Sequence, residues 1–92
     1  MLEKQIVKKI MAYLKTVPNS YFEKKYAGPA NPGDPDISGC IRGRCIKLEV
    51  KRPGNVATPL QIRKLALWAA AGAKVAVVYS VDDVKEVIGD NK

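Results

Sequence analysis

The sequence predicts an α/β domain in which seven elements follow the order α-β-β-β-α-β-α around a central mixed four-stranded sheet. Two patterns support this prediction. Apolar residues recur at helical spacing near the N-terminus, and four short segments alternate or run continuously apolar, as strands do. The chain of 92 residues shows no repeat, linker or low-complexity segment. We therefore expect one domain that spans residues 1–92.

Three segments carry helix signals. Residues 2–16 are predicted to form an amphipathic helix that ends before Pro18, because proline disfavours helix in the residue before it. Thr58 and Pro59 resemble an N-cap and a first-turn proline, so a second helix is expected over residues 59–71, ending at Gly72. Ser80 followed by Asp83 resembles a capping box for a last helix that ends near Gly89. The apolar positions of the first helix are Leu2, Ile6, Ile10 and Leu14.

Four segments are predicted to be strands: residues 20–26, 36–41, 44–51 and 74–79. The Gly- and Pro-rich residues 27–35 between the first two must form a loop. Side chains alternate across a strand, so one face of the third strand carries apolar side chains and faces the core. The other face carries Cys45, Lys47, Glu49 and Lys51. The last strand is continuously apolar, which is typical of a buried strand.

Composition excludes several chemistries. There is no histidine, which rules out Ser-His-Asp and Cys-His catalysis and histidine-ligated zinc, and two cysteines cannot form a four-ligand zinc site. No glycine-rich phosphate loop is present. The net charge of +7 favours a polyanionic partner such as nucleic acid. No apolar run is long enough to span a bilayer, so a cytoplasmic protein is expected. Carboxylate, lysine and metal chemistry remain.

The second and third strands bring two carboxylates together if Arg42 and Gly43 form a two-residue turn. Ile41 then pairs with Arg44, and this register sets Asp36 opposite Glu49, Ser38 opposite Lys47, and Cys40 opposite Cys45. A three-residue turn would break the pairing. Opposed carboxylates lie about 5 Å apart and repel each other. A hard divalent cation such as Mg²⁺ removes the conflict. Lys51, on the same face, could then orient a water or stabilise charge on a phosphate.

These residues carry a family resemblance. Gly33-Asp34-Pro35-Asp36 followed by Glu49-Val50-Lys51 resembles the P-D … E-x-K signature of the restriction-endonuclease-like PD-(D/E)XK superfamily. Within that superfamily the chain most resembles the stand-alone virus-type replication-repair nuclease (VRR-NUC) domain. There the aspartate follows a Gly-x-Pro turn and a glutamine follows E-x-K, as Gln61 does here. The resemblance covers nearly the whole chain and implies the αβββαβ core of these nucleases.

The resemblance also implies a role for each matching residue. Asp36 and Glu49 would bind Mg²⁺ or Mn²⁺, with the main-chain carbonyl of Val50 as a further ligand. Lys51 would activate or position the attacking water, and Gln61 would orient Lys51 or a metal-bound water. A glutamate on the first helix would complete the acidic cluster, as in some relatives. That residue is Glu3.

The implied activity is metal-dependent hydrolysis of DNA, selective for branched forms such as four-way junctions and carried out by a homodimer with two active sites. One departure is Leu65, which stands four residues after Gln61, where exonuclease branches of the superfamily carry a tyrosine. The candidate phosphate contacts are basic residues near the turn and the second helix: Arg42, Arg44, Arg52, Arg63 and Lys64.

Each assignment has a plainer alternative. Glu49 and Lys51 could lie on an exposed charged strand face, and Glu3 could complement the helix dipole. Gln61 could serve as a polar first-turn residue. Trp68 is interpreted as core or interface, together with Leu65 and Leu67. The two cysteines are interpreted as small buried or half-buried residues, because a reducing compartment disfavours a disulfide between them.

Three other functions remain open. A non-catalytic double-stranded RNA-binding module also begins α-β-β-β-α, but it lacks the elements of residues 74–89 and carries a lysine cluster where residues 58–62 have none. A nuclease-like fold without activity would bind DNA only. A structural subunit would use the apolar residues 65–73 as an interface.

Overall fold

A computed structural model describes residues 1–25 and 32–89 and confirms the predicted element order. Observed and predicted bounds differ by at most two residues among the described residues. Residue 26 of the first predicted strand and residues 27–31 of the following loop lie outside the described residues. The elements are α1 Glu3–Leu14, β1 Ser20–Lys24, β2 Ile37–Ile41, β3 Arg44–Val50, α2 Pro59–Ala70, β4 Lys74–Val78 and α3 Val81–Ile88.

The four strands form one mixed sheet in the order β1-β2-β3-β4. β1, β2 and β3 pair antiparallel, and β4 pairs parallel to β3. Arg42 and Gly43 connect β2 to β3 with φ angles of 48° and 84°. Positive φ at both central residues defines a two-residue type I′ turn, whose twist matches that of the strands. The predicted register follows from this turn, with Ile41 opposite Arg44 and Cys40 opposite Cys45.

The hydrophobic core lies on one face of the sheet, between the strands and the helices α1 and α3. Ile6, Ile10 and Leu14 of α1 are buried there because their spacing sets them on one side of the helix. Alternation in β3 turns its apolar side chains toward the same core: Ile46, Leu48 and Val50. This alternation leaves the intervening residues of β3 on the opposite face of the sheet.

The second helix covers part of that opposite face. α2 packs on β4 and β3, and Leu65 is its one buried side chain among the residues that the structure describes. Thr58 and Ser80 cap α2 and α3 as predicted. β4 is not the buried strand that its apolar sequence predicted. It lies at the edge of the sheet, where only Val78 is fully buried. No helix within residues 1–25 and 32–89 is long and apolar enough to cross a membrane.

Candidate active site

Asp36 lies directly before β2, in a bend rather than in the strand where the sequence predicted it. Its backbone carbonyl accepts a 2.7 Å hydrogen bond from the amide of Lys25, which ties it to the end of β1. Its carboxylate Oδ2 accepts a 2.8 Å hydrogen bond from the amide of Val50 in β3. Two strands therefore hold this carboxylate in place at one end of the sheet.

Glu49 is almost completely buried, with 1% of its surface exposed, and its Oε1 has no hydrogen-bond partner among the described residues. The pKa of Glu49 is raised from 4.5 to about 8, chiefly by burial and then by a hydrogen bond with Asp36 and the negative charge of Asp36. An unpaired buried carboxylate is destabilising in its charged form. This burial excludes the alternative in which Glu49 belongs to an exposed charged face.

Lys51 follows β3 directly and is half-buried. Its amide donates a 3.0 Å hydrogen bond to the carbonyl of Val78 in the neighbouring strand β4. The positive charge of Lys51 lowers the pKa of Glu49 and so opposes the effect of burial. The ammonium group is therefore close enough to stabilise negative charge at the carboxylate pair.

Glu3 begins α1 at the same end of the sheet. Its Oε2 accepts a 3.4 Å hydrogen bond from Asn55 Nδ2, and its charge is a further, smaller cause of the raised pKa of Glu49. Within residues 1–25 and 32–89, however, no three acidic, cysteine or histidine side chains are grouped closely enough to hold a metal ion. Metal ligation by Glu3 therefore stays a prediction, and the candidate donors that interact directly are Asp36 and Glu49.

This pair fits a hard divalent cation. The Glu49 Oε1 atom is buried without a partner, and a carboxylate oxygen is a ligand that Mg²⁺ prefers. Mg²⁺ is commonly held by one or two carboxylates, with waters and substrate phosphate as its other ligands. Val50 lies beside the pair, with its side chain fully buried and its amide bonded to Asp36. The predicted role of its carbonyl as a ligand is not tested by these contacts.

Gln61 takes part in a capping box at the beginning of α2. Its side-chain Oε1 accepts a 2.8 Å hydrogen bond from the amide of Thr58, and its own amide donates to Thr58 Oγ1 at 3.2 Å. These two bonds satisfy backbone groups that the first turn of a helix leaves free. Gln61 thus has the plainer role weighed from the sequence, and its role toward Lys51 stays a prediction.

Helix α2 also holds the loop that leads to Asp36. Gly33 has a φ of 79°, and a Cβ atom there would lie 2.7 Å from Leu60 Cγ, so this contact requires glycine. One helical turn further along α2, Lys64 Nζ forms a 3.1 Å ion pair with Asp34 Oδ1. The two contacts fix residues 33 and 34 against α2. Lys64, predicted as a phosphate contact, therefore has a partner within the protein.

A groove of about 760 Å³ lies beside Asp36, between the beginning of α1 and the end of β1. Four lysines line it, and sequence analysis did not single them out as DNA contacts: Lys4, Lys8, Lys24 and Lys25. The spacing of Lys4 and Lys8 could have revealed part of this surface, since residues three or four positions apart share a side of a helix. The groove brings positive charge close to the carboxylate pair.

The other predicted phosphate contacts lie at different places. Arg52 is exposed directly after Lys51, and Arg63 is exposed on α2. Arg42 and Arg44 lie at the hairpin turn, and Arg44 is five residues before Glu49, or about 16 Å along the strand. The structure therefore brings Arg52 near the carboxylates and leaves the two turn arginines at the opposite end of β3.

The end of α2 is only partly in the core, and its predicted role as an interface stays a prediction. Leu65 is buried, but Leu67 is 58% exposed and Trp68 is 39% exposed. The Lys47 ammonium lies 3.7 Å from the centre of the Trp68 ring, a cation–π contact that joins β3 to α2. Trp68 is thus not a core residue. Nor is Cys40 buried, since it is exposed, whereas Cys45 is half-buried and both thiols are free.

The element order and the four-stranded mixed sheet define a restriction-endonuclease-like α/β fold. Comparison with solved structures supports the same fold. A structure named "VRR_NUC domain" matches with a TM-score of 0.77 and 26% identity, covering 98% of this chain and 97% of its own. A second, named "VRR_NUC domain protein", matches with a TM-score of 0.78 and 21% identity over 97% of this chain and 86% of its own.

The chain is thus similar to VRR-NUC domains over nearly its whole length, which confirms the resemblance found in the sequence. No protein-family model matches the chain. No curated protein matches it either. A nuclease domain implies DNA as a partner, and the basic groove beside the carboxylate pair is compatible with one.

Proposed function

We propose that the protein is a Mg²⁺-dependent DNA endonuclease that hydrolyses phosphodiester bonds at Asp36, Glu49 and Lys51. The observation that carries this proposal is the buried carboxylate oxygen of Glu49, which has no partner among the described residues and lies next to a second carboxylate. A stable fold gains nothing from such an arrangement in the absence of a cation. Mn²⁺ would serve in place of Mg²⁺.

Each side chain has a defined task in this proposal. Asp36 and Glu49 would hold the cation at the end of the sheet. A bound divalent ion neutralises charge on the phosphate and makes a water more acidic. Lys51 positions the attacking water and stabilises the negative charge that develops on the phosphate. The hydrogen bond from Val50 keeps Asp36 oriented toward Glu49 throughout.

The lysine groove would hold the DNA backbone. Lys4 and Lys8 of α1 and Lys24 and Lys25 at the end of β1 line the same cavity as Asp36. A phosphate chain that follows these ammonium groups reaches the carboxylate pair. Arg52 and Arg63 extend the basic surface on the other side. The structural basis of affinity would therefore be charge, which carries no information on base sequence.

The proposal extends to branched DNA and to a homodimer. A domain of 92 residues has little surface for holding a duplex, so two copies would place two sites on paired strands. α2 offers four exposed apolar side chains for such pairing: Leu60, Ile62, Leu67 and Trp68. Light scattering at micromolar concentration should report twice the chain mass. A monomer that cuts four-way junctions symmetrically would contradict the paired-site arrangement.

One experiment tests the catalytic part. Linear, flap, fork and four-way-junction DNA are incubated with the protein in Mg²⁺, Mn²⁺, Ca²⁺ or EDTA. We expect cleavage with Mg²⁺ and Mn²⁺, binding with little cleavage in Ca²⁺, and no cleavage in EDTA, with four-way junctions cut fastest. Full activity in EDTA would refute the metal mechanism. Tight binding without cleavage in every metal would instead favour a non-catalytic nucleic-acid-binding module.

A further inference from the structure

Cys40 and Cys45 lie directly opposite each other on the antiparallel strands β2 and β3, and both are free thiols. One residue pair, Ile41 and Arg44, separates them from the type I′ turn formed by Arg42 and Gly43. This pair lies outside the carboxylate site. Cys45 is four residues before Glu49, which corresponds to about 13 Å along the strand.

The hydrogen-bond pattern of β2 decides how close the two cysteines come. Lys25 donates its amide to the carbonyl of Asp36 at 2.7 Å, and the Arg42 amide donates to the carbonyl of Asn19 at 3.0 Å. Residues 36, 38, 40 and 42 therefore direct their backbone groups toward β1. On the side of β3, Cys40 must then belong to a non-hydrogen-bonded pair, in which Cα atoms are about 4.5 Å apart and side chains approach most closely.

That spacing falls in the range required for a disulfide, which is about 4.4 to 6.8 Å between Cα atoms. No backbone rearrangement is needed to bridge the pair. The thiols are also accessible, because α2 covers the β3 and β4 side of this sheet face. Cys40 is exposed, and Tyr21, its partner in β1, is 70% exposed on the same face.

We propose that Cys40 and Cys45 form a reversible dithiol–disulfide site that reacts with anionic low-molecular-weight disulfides such as glutathione disulfide. One cysteine thiolate attacks the glutathione disulfide, forms a mixed disulfide and releases one glutathione thiolate. The second cysteine attacks the protein sulfur of the mixed disulfide and releases the other glutathione. The protein loses two protons and two electrons, and the glutathione disulfide becomes two glutathione thiols.

Charge and geometry favour this chemistry. Arg42 and Arg44 are exposed beside the cysteines, and they would attract the negatively charged glutathione disulfide. The bond would close a loop of only a few residues, for which the stabilisation of the folded chain is smallest. Exposed disulfides that gain little stability are the easily reduced ones. The site would therefore return to the dithiol in excess reduced glutathione.

The test uses the full chain, glutathione disulfide as the oxidant and intact-mass measurement. We expect the wild type to lose two hydrogen atoms, to retain no glutathione and to recover its mass in excess reduced glutathione. Cys40→Ser and Cys45→Ser should each retain one glutathione as a stable mixed disulfide. A stable adduct on the wild type, disulfide-linked dimers, or no reaction would overturn the proposal.

A second measurement separates sheet geometry from mere proximity in sequence. Ring closure from the mixed disulfide should be at least about tenfold faster in the folded chain than in urea, because the native register aligns the two sulfurs. Equal rates in the two conditions would mean that the strands do not pre-align the pair, and would overturn the structural argument. Neither readout depends on nuclease activity.

Discussion

Val50 donates its backbone amide to the carboxylate of Asp36 at 2.8 Å, so the residue between Glu49 and Lys51 orients the aspartate of the site. This bond gives the Asp36 carboxylate a main-chain hydrogen-bond donor. The Oε1 atom of Glu49, in contrast, has no hydrogen-bond partner among the described residues. The two carboxylates therefore have different environments. Asp36 is half-buried and hydrogen-bonded, and Glu49 is buried and has a raised pKa.

Replacing Glu49 with Gln should separate catalysis from stability. The substitution keeps the shape of the side chain and removes a metal ligand, so cleavage should fall at least about a hundredfold. Gln has no proton to retain in the buried site, so near neutral pH the free energy of unfolding of the metal-free variant should be equal to or higher than that of the wild type. The rise in melting temperature that Mg²⁺ causes should largely disappear.

The matched control is Glu23→Gln, which removes the same charge from an exposed strand position. It should preserve both cleavage and the Mg²⁺ response. If Glu49→Gln behaves like this control, Glu49 does not bind the metal. If it unfolds the chain instead, Glu49 is a structural residue.

The pKa of Glu49 predicts how the stability of the metal-free protein depends on pH. In the folded chain this pKa is about 8, compared with 4.5 ordinarily, so the folded state retains a proton that the unfolded state has lost. The free energy of unfolding should therefore fall as pH rises between these two values, by at most about 1.4 kcal/mol per pH unit. Below pH 4.5 and above about pH 8, Glu49 does not contribute to the pH dependence of the free energy of unfolding.

Urea unfolding in EDTA across this pH range measures the effect. Glu49→Gln cannot titrate at this position, so its stability should depend less on pH in the same window. Identical pH profiles for the wild type and the variant would mean that Glu49 does not cause the pH dependence of the free energy of unfolding. Saturating Mg²⁺ should also flatten the wild-type profile, because the cation favours the ionised carboxylate.

The fold was predictable because its signals are local. A two-residue turn at Arg42 and Gly43 sets the register of β2 and β3, and the alternation of apolar residues in β3 then selects its core face. The observed register ends at the pair Ile37 and Leu48, and Asp36 precedes it in a bend, so the predicted pairing of Asp36 with Glu49 gave only the approximate position of the aspartate. Caps at Thr58 and Ser80 mark the beginnings of the last two helices from their sequence alone.

Features that depend on tertiary packing were not predictable in this way. β4 has the sequence of a buried strand, but its place at the sheet edge leaves it half-buried. The burial of Glu49 is set by the elements packed around it, and its apolar neighbours in sequence do not distinguish it from an exposed charge. The groove lysines come from α1 and the end of β1, which only the folded chain brings beside Asp36.

The ion pair between Lys64 and Asp34 should position the loop that leads to Asp36. Its side chains are partly exposed, so Lys64→Glu should lower stability by less than about 1 kcal/mol. The Mg²⁺ concentration needed to raise the melting temperature should nevertheless increase several-fold, because Asp36 is held less firmly.

Adding Asp34→Lys restores the pair with reversed charges and should recover much of the effect of Mg²⁺ on the melting temperature. Arg63→Glu on the same helix is the control for net charge. An equal loss in that variant would show a general electrostatic effect rather than positioning.

The lysine groove should account for a measurable part of the salt dependence of DNA binding. Lys4 and Lys8 line it beside Asp36, whereas Lys9 on the same helix lines a different pocket. Each phosphate contact releases counterions, so Lys4→Gln and Lys8→Gln should each flatten the plot of log affinity against log salt by about one unit. Lys9→Gln removes the same charge and should leave the slope nearly unchanged. The measurement is fluorescence anisotropy of labelled duplex DNA in Ca²⁺ over a range of salt concentrations.

If Lys9→Gln flattens the slope as much as the groove variants do, DNA binding depends on the overall charge of the protein and not on this groove. If none of the three variants alters the slope, the binding face lies elsewhere, and the exposed arginines at positions 52 and 63 become the surface to test.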